Sequence, residues 1–228
     1  MMKNNIKGKT AIITGASAGI GEATAVRFAE YGVNLVLTAR RLERLEKLKN
    51  ELSKYSVNVK IYQMDVRDRA AVKTFAEELR KEKISPDILI NNAGLSSGKD
   101  PVQEADIDDW EVMIDTNIKG LLYVTREIVP MMIERNTGHI INLGSIAGLQ
   151  VYYGGNVYHA TKFAVRALSQ ALNIDLINSR LRVSMVSPGA TDPEFYIVRF
   201  KGAQMQADPT HDVFTPRSAQ ALADSIPL

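Results

Sequence analysis

The sequence predicts an α/β protein with one doubly wound parallel sheet, helices on both faces, and a single domain over residues 1–228. Three observations carry this. Short apolar runs alternate with amphipathic helical patterns along most of the chain, the signature of strand–helix–strand units with right-handed crossovers. Several strand-like runs, such as Ala11-Ile12-Ile13 and 87–90, are short, apolar and buried in pattern, as parallel strands covered on both faces are. A glycine-rich turn also closes the first strand and opens the first helix.

Taken in order, Ala11-Ile12-Ile13 is the first strand and 20–31 the first helix. Residues 33–37 read as the second strand and 41–54 as a charged surface helix. Residues 57–64 form a third strand, 69–83 a helix, and 87–90 a very short buried strand. A long helical pattern covers 107–135, with an interruption expected near Asn117 and Gly120. Residues 139–143 make the fifth strand, 156–178 a helix and 182–186 the sixth strand. The segment from Thr215 to Ile226 has the pattern of a helix start, and no final strand follows it. The sixth strand is therefore expected at an open edge, to be covered by a partner or by further chain. The part from about residue 203 is atypical. No linker, repeat or low-complexity segment divides the chain.

With 228 residues and a formal net charge of +2, the chain has room for a sizeable core and no basic patch of the kind that binds nucleic acid. It has no cysteine, so disulfides and thiolate metal sites are excluded; no metal is expected. No apolar run approaches the roughly 20 residues of a membrane span. Met1-Met2-Lys3-Asn4-Asn5 has no signal-peptide apolar core, and the expected location is the cytoplasm.

The turn reads Thr14-Gly15-Ala16-Ser17-Ala18-Gly19-Ile20-Gly21, a G-x-x-x-G-x-G spacing. Gly15 permits the tight turn, Gly19 and Gly21 let backbone approach a ligand and the sheet, and the helix N-terminus offers N–H groups to a pyrophosphate. A dinucleotide is the expected ligand. At the end of the second strand, where an acid would bind a ribose hydroxyl, the chain has Leu37-Thr38-Ala39-Arg40-Arg41. Two guanidinium groups and no acid suit a 2′-phosphate, so the expected cofactor is NADP(H). Asp65-Val66 ends the third strand, where the carboxylate either accepts from an adenine amino group or caps the next helix. Asn92, Ala93 and Gly94 end the fourth strand, leaving room for ligand at the carboxyl edge of the sheet.

Tyr158 and Lys162 are four apart on a predicted helix and so lie on one face. A cation beside a phenol pulls its pKa down from about 10, making it a usable proton donor and acceptor. Ser145, at the tip of Ile140-Ile141-Asn142-Leu143-Gly144, ends a buried strand that brings it towards the same place. His139, His159 and His211 have no partner pattern and read as structural or exposed. Met131-Met132 reads as core, and Trp110 as a packing anchor.

Together Thr14 to Gly21, Asn91 to Gly94, Asn117, Ser145, Tyr158 to Lys162 and Pro188-Gly189 resemble the short-chain dehydrogenase/reductase family, over about 7–200. A closer resemblance, to its NADP-dependent 3-hydroxy acid dehydrogenases, which act on L-serine and L-allo-threonine, rests on Gln103 to Trp110, Gly154 to Tyr158, Glu194-Phe195 and Val198 to Gly202. The resemblance implies a Rossmann-like fold. It makes Tyr158 the acid/base, and gives Lys162 to tuning Tyr158 and holding the nicotinamide ribose. Ser145 polarises the substrate oxygen, and Asn117 supports a water relay. It also implies that Pro188, Gly189 and Thr191 line the nicotinamide half and that the protein is a homo-oligomer, dimer or tetramer; a substrate carboxylate would need a cation near the pocket, for which Arg199 and Lys201 are the candidates.

Two departures stand out. The family's usual Thr four residues beyond Gly189 is here Pro193, with Thr191 two residues earlier; and the family's usual last helix and strand run further than this chain. A 3-ketoacyl-carrier or broad carbonyl reductase, and a non-catalytic NADPH-binding module, are the alternative readings.

Overall fold

Ala11-Ile12-Ile13, Leu35-Val36-Leu37 and Ile88-Leu89-Ile90 have no polar alternation, so each needs cover on both faces. The computed structural model, which describes residues 6–189, 219–223 and 226, supplies it. Six strands form one sheet in the order β3-β2-β1-β4-β5-β6. They are β1 (Thr10–Thr14), β2 (Asn34–Ala39), β3 (Val59–Gln63), β4 (Ile88–Asn91), β5 (Gly138–Leu143) and β6 (Leu181–Val186). Every pairing is parallel. The order reverses between β1 and β4, and the crevice at that switch point is where such sheets bind ligand.

The side chains of each strand divide between two cores. Ile13, Leu35, Leu37, Ile88 and Ile90 pack with Phe28 of α1 (Gly19–Glu30) and with Leu45, Leu48 and Leu52 of α2 (Leu42–Leu52). Ile12, Val36, Leu89 and Ile140 pack with Val72, Phe75 and Leu79 of α3 (Arg69–Lys81) and Val124, Ile128 and Met132 of α5 (Leu121–Glu134). Met131 and Met132 are core residues, as expected. α6 (Asn156–Asp175) lies beside β6, and a short α7 (Ala219–Ala223) contacts α1.

Of the boundaries that differ from the sequence reading, three have a visible cause. The third strand begins at Val59, because the Asn34 side chain takes the Asn58 N–H at 2.9 Å and Val57 is held in a turn with Tyr55. The sixth helix stops at Asp175, where the Ser179 hydroxyl and N–H both bond the Leu176 carbonyl and close the chain into a turn. The 107–135 pattern resolves into α4 (Ile107–Ile114), a π-helical turn (Asp115–Gly120) and α5, so the interruption expected near Asn117 and Gly120 is a widened turn inside a continuing helix. Among the described residues β6 is an edge strand, as expected. Of the predicted C-terminal helix, Thr215 to Ser218 lie outside the described residues.

The N-terminal ends of the strands carry their own electrostatic knot. The Asp87 carboxylate accepts from the Thr10 N–H at 2.9 Å, from Arg135 at 2.9 Å and from Lys9 at 3.4 Å. Burial opposes its charge, but the Thr10 bond and the Arg135 guanidinium outweigh this and hold its pKa below the usual carboxylate range.

His139 of β5 is buried, with Nε2 2.8 Å from the Ser184 hydroxyl of β6. Burial, with a smaller push from Arg182, lowers its pKa to about 4. The folded protein thus resists protonation that the unfolded chain accepts near pH 6.5. Full stability is present above about pH 6.5 and is lost as pH falls towards 4, by at most about 3 kcal/mol from this residue. His139→Asn should flatten that slope in urea titrations at a series of pH values; an unchanged slope would remove His139 from the acid response.

Candidate active site

The glycine turn is built by exclusion. Gly15 and Gly19 have φ of +66° and +57°, backbone that favours glycine. At Gly21 a Cβ would lie 2.5 Å from Asn92 Nδ2 and 2.6 Å from the Gly15 carbonyl, so α1 sits against the turn as only glycine allows. Asn92 Nδ2 donates to the Thr14 and Gly15 carbonyls at 2.8 and 3.2 Å, and the Thr14 hydroxyl accepts from the Asn92 and Ala93 N–H groups, both at 3.0 Å. The first βα turn and the end of β4 are thereby one rigid rim. Ala18 is the N-cap of α1 and no side chain caps it, which leaves the opening N–H groups around Gly19, Ile20 and Gly21 to an anion. The residues present fit a dinucleotide pyrophosphate.

Arg41 reaches back across this rim, with Nε and Nη2 3.3 and 3.2 Å from the Ser17 hydroxyl. Arg40 is exposed, and its carbonyl accepts from Gln63 at 3.0 Å. The Arg41 guanidinium thus stands at the end of β2 with the buried Ser17. Asp65 is not the helix cap; that place belongs to Asp68, which accepts from the Ala70 and Ala71 N–H groups. The Asp65 carboxylate is instead held by Arg67, at 2.6 Å from Nη2 and 2.9 Å from Nε. Burial works against its charge, and the Arg67 side-chain and backbone hydrogen bonds overcome it, leaving its pKa lowered. Val66 is buried under Gly120, where a Cβ would lie 2.6 Å from Val66 Cγ2.

The second half of the site is α6 laid against the end of β5. Tyr158 and Lys162 are both buried, and Lys162 Nζ lies 5.9 Å from the Tyr158 ring centroid. Nζ donates to the Leu143 carbonyl at 2.8 Å, and burial lowers its pKa to about 8. Ser145 caps the 3₁₀ turn Ile146–Gly148; its Oγ accepts from the Ala147 N–H at 3.1 Å. Asn117, in the π-helical turn, donates to the Leu95 carbonyl at 2.8 Å and Thr161 Oγ1 at 3.0 Å, and accepts from the Leu95 N–H at 2.9 Å. A Cβ at Gly94 would stand 3.1 Å from Asn117 Oδ1 and 3.6 Å from Lys162 Nζ. Asn117, Lys162 and the end of β4 therefore converge. Pro188 is buried and its carbonyl accepts from the Ile146 N–H at 2.9 Å; Gly189 is exposed beside it.

Thr161 was not legible in the sequence. Thr161 Oγ1 donates to the Tyr158 carbonyl at 2.8 Å while receiving Asn117, tying the π-helical turn to the Tyr-Lys turn of α6. His159 is structural: its Nδ1 lies 2.9 Å from the Ala147 carbonyl and its Nε2 lies 3.0 Å from the Tyr152 N–H nitrogen. Trp110 packs with Met113, Ala147 and Tyr158, as a packing anchor should. Thr191, Pro193, Glu194, Phe195, Arg199, Lys201 and His211 lie outside the described residues.

A glycine turn at the sheet switch point thus stands with a Tyr-Lys helix beside a strand-end serine, and the chain belongs to the short chain dehydrogenase family, which matches residues 9–202. It is 49% identical over 216 residues to the NADP-dependent 3-hydroxy acid dehydrogenase YdfG of Escherichia coli K12, covering 94% of this chain and 86% of that one. It is 44% identical over 216 residues to sulfoacetaldehyde reductase 2 of Chromohalobacter salexigens, covering 94% and 85%. Its structure superposes on the closed form of a serine dehydrogenase complexed with NADP+ with a TM-score of 0.89 at 45% identity, covering 95% of this chain and 87% of that one.

Replacing Asn117 with Ala strands the Leu95 N–H and carbonyl and one Thr161 partner. It should lower stability by about 1–3 kcal/mol in urea unfolding, since buried polar groups left unpaired cost that much. A change within a few tenths of a kcal/mol would show that these bonds are replaced.

Proposed function

We propose that this protein is an NADP(H)-dependent oxidoreductase that transfers hydride between the nicotinamide and a 3-hydroxy acid or 3-hydroxy amino acid of the serine and allo-threonine kind. The observation that carries the reading is the buried Tyr158–Lys162 pair, one helical turn apart, with Lys162 pulled down to a pKa of about 8 beside the phenol. Binding a nucleotide needs no such pair. The substrate class is supported by the 3-hydroxy acid and serine dehydrogenase relatives.

In this reading Tyr158 takes the substrate hydroxyl proton in oxidation and returns it to the carbonyl oxygen in reduction. Lys162 remains mostly an ammonium at pH 7, favours the phenolate by its charge, and holds the nicotinamide ribose. Ser145 accepts the Ala147 N–H, so its own hydroxyl proton is available to polarise the substrate oxygen. Asn117 fixes the backbone at Leu95 beside Lys162. With both its N–H groups bonded, its part in a water relay falls to its remaining oxygen lone pair and the π-turn backbone. The bound nicotinamide supplies or accepts the hydride at C4.

Gly15, Ser17, Ala18, Gly19, Ile20 and Gly21 hold the pyrophosphate. Arg40 and Arg41 hold the 2′-phosphate, Asp65 and Val66 border the adenine, and Asn92, Ala93, Gly94, Pro188, Gly189 and Thr191 border the nicotinamide. The same reading includes a cytoplasmic homo-oligomer, dimer or tetramer, which would cover apolar side chains exposed on α5 and α6 such as Leu122, Ile133 and Phe163. Among the described residues no helix is long and apolar enough to cross a membrane.

Initial rates at 340 nm with NADP+ and NAD+ on L-serine, L-allo-threonine and 3-hydroxybutyrate test the reading, with sulfoacetaldehyde reduction as the competing assay. Tyr158→Phe should cost roughly 100-fold or more in turnover while NADPH still binds, because only the transferable proton is lost. Normal turnover by this variant would end the assignment. Arg41→Ala and Arg40→Ala should each weaken NADPH about 10-fold, near 1.4 kcal/mol, and leave NADH within about two-fold. Equal losses for both cofactors would take the arginines out of the 2′-phosphate site.

A further inference from the structure

The loop that leaves β4, residues 95–100, is fixed at three points by side chains from three other elements. Asn117 bonds both the N–H and the carbonyl of Leu95. At the far end Asn156, the first residue of α6, donates to the Asp100 carbonyl at 2.9 Å. Between them stands Asp109, on the first turn of α4 and 7% exposed, whose Oδ1 accepts from the Ser97 hydroxyl at 2.6 Å. Its Oδ2 backs directly onto Gly98, which has φ of +70° and where a Cβ would lie 2.9 Å from that oxygen. Ser97, Asp109, Trp110, Met113, Asn156 and Tyr158 line one small cavity of about 10 Å3.

A buried carboxylate is costly unless its charge is met. Here it meets a hydroxyl donor and the positive end of α4. Both ends of the loop are held by residues adjoining the Tyr-Lys machinery: Asn117 bonds Thr161, and Asn156 lies two residues before Tyr158. The middle of the loop is held by Asp109. α4 also carries Met113, which packs on Tyr158, so the element that positions the loop also touches the phenol.

We propose that Asp109 is a positioning residue: through Ser97 and Gly98 it sets the 95–100 loop as the wall of the substrate pocket opposite Tyr158, and so governs substrate fit without governing cofactor affinity. This rests on Tyr158 being the acid/base. Moving the wall leaves the phenol, Lys162 and the glycine turn in place, so the loss falls on the fit of the substrate and spares the dinucleotide.

The test compares wild type with Asp109→Ala, Asp109→Asn, Ser97→Ala and the Ser97→Ala/Asp109→Ala pair in the full chain. Asp109→Ala should speed amide hydrogen exchange over 95–100 and leave 88–93 unchanged. It should raise the KM for serine about 10-fold or more, with kcat and the NADPH dissociation constant within about two-fold. Asp109→Asn, which keeps an oxygen for Ser97, should recover part of the loss. The pair should be no worse than Asp109→Ala alone, because the two side chains act through one bond. Unchanged exchange, additive losses, or a fall in kcat at constant KM would each overturn the proposal. Should Asp109→Ala fail to fold, Ser97→Ala removes the same bond with one hydroxyl and decides by the same exchange measurement. If wild type turns over no 3-hydroxy acid, the substrate reading falls, while the exchange and NADPH titrations still decide the clamp.

Discussion

The site depends on a close approach that only a missing side chain permits. At Gly148 a Cβ would lie 2.6 Å from the Lys162 carbonyl, so the 3₁₀ turn after β5 lies directly on the backbone of α6. That contact lets Lys162 reach the Leu143 carbonyl at 2.8 Å and buries its ammonium beside Tyr158. Burial is the cause of the lowered lysine pKa, and burial exists only while helix and turn stay in contact. The His159 bridge from α6 to the Ala147 carbonyl and the Ser145 cap hold the two sides of this contact in register. Backbone packing thus sets the burial of Lys162 beside the phenol.

The fold was legible because β1, β2 and β4 are built on unbroken apolar runs and the helices are not, although β3 and β6 alternate with polar residues. Strand count, parallel sense and the position of the glycine turn all follow from that contrast. Boundaries were less legible where a side chain replaced a backbone partner, as Asn34 does for Asn58 at the start of β3. The interruption near Asn117 was visible in the sequence, but its form was not: a π turn adds no distinctive residue and is set by what Asn117 bonds across space. For the same reason Tyr158, Lys162, Ser145 and the glycine turn were legible as candidates, since each sits at a recognisable element end. Thr161, Asp109 and Asn156 were not, since each acts on backbone far away in sequence. Asp65 shows the limit from the other side: its position at a strand end pointed to a free acceptor or a cap, and its neighbour Arg67 occupies it.

The rim around the cofactor crevice is made of short polar residues that bond backbone. Thr14, Asn92 and Asn117 each satisfy peptide groups at the ends of strands, where ladder bonding stops and peptide groups need other partners. Beneath this rim Asn91 and Asn142 face each other across β4 and β5 at 2.9 Å, and Asn142 continues to Ser169 of α6 at 2.9 Å. The helix that carries Tyr158 and Lys162 is thus tied to the sheet by buried amide groups as well as by apolar packing. Such a network favours one geometry because breaking these bonds would leave further buried amide groups unpaired, in addition to Asn91 Oδ1, which has no partner here.

The two ends of this sheet carry different duties. At the carboxyl ends of the strands lie the glycine rim, Ser145 and the Tyr-Lys turn; at the amino ends lies the Asp87 knot with Thr10, Arg135 and Lys9. The length of a strand separates them, and no residue of the knot belongs to the rim. Substitutions can therefore accumulate independently at each end. A change at the carboxyl ends of the strands leaves the Asp87 bonds intact, and a change at Asp87 leaves the glycine rim intact, so their effects on stability should add.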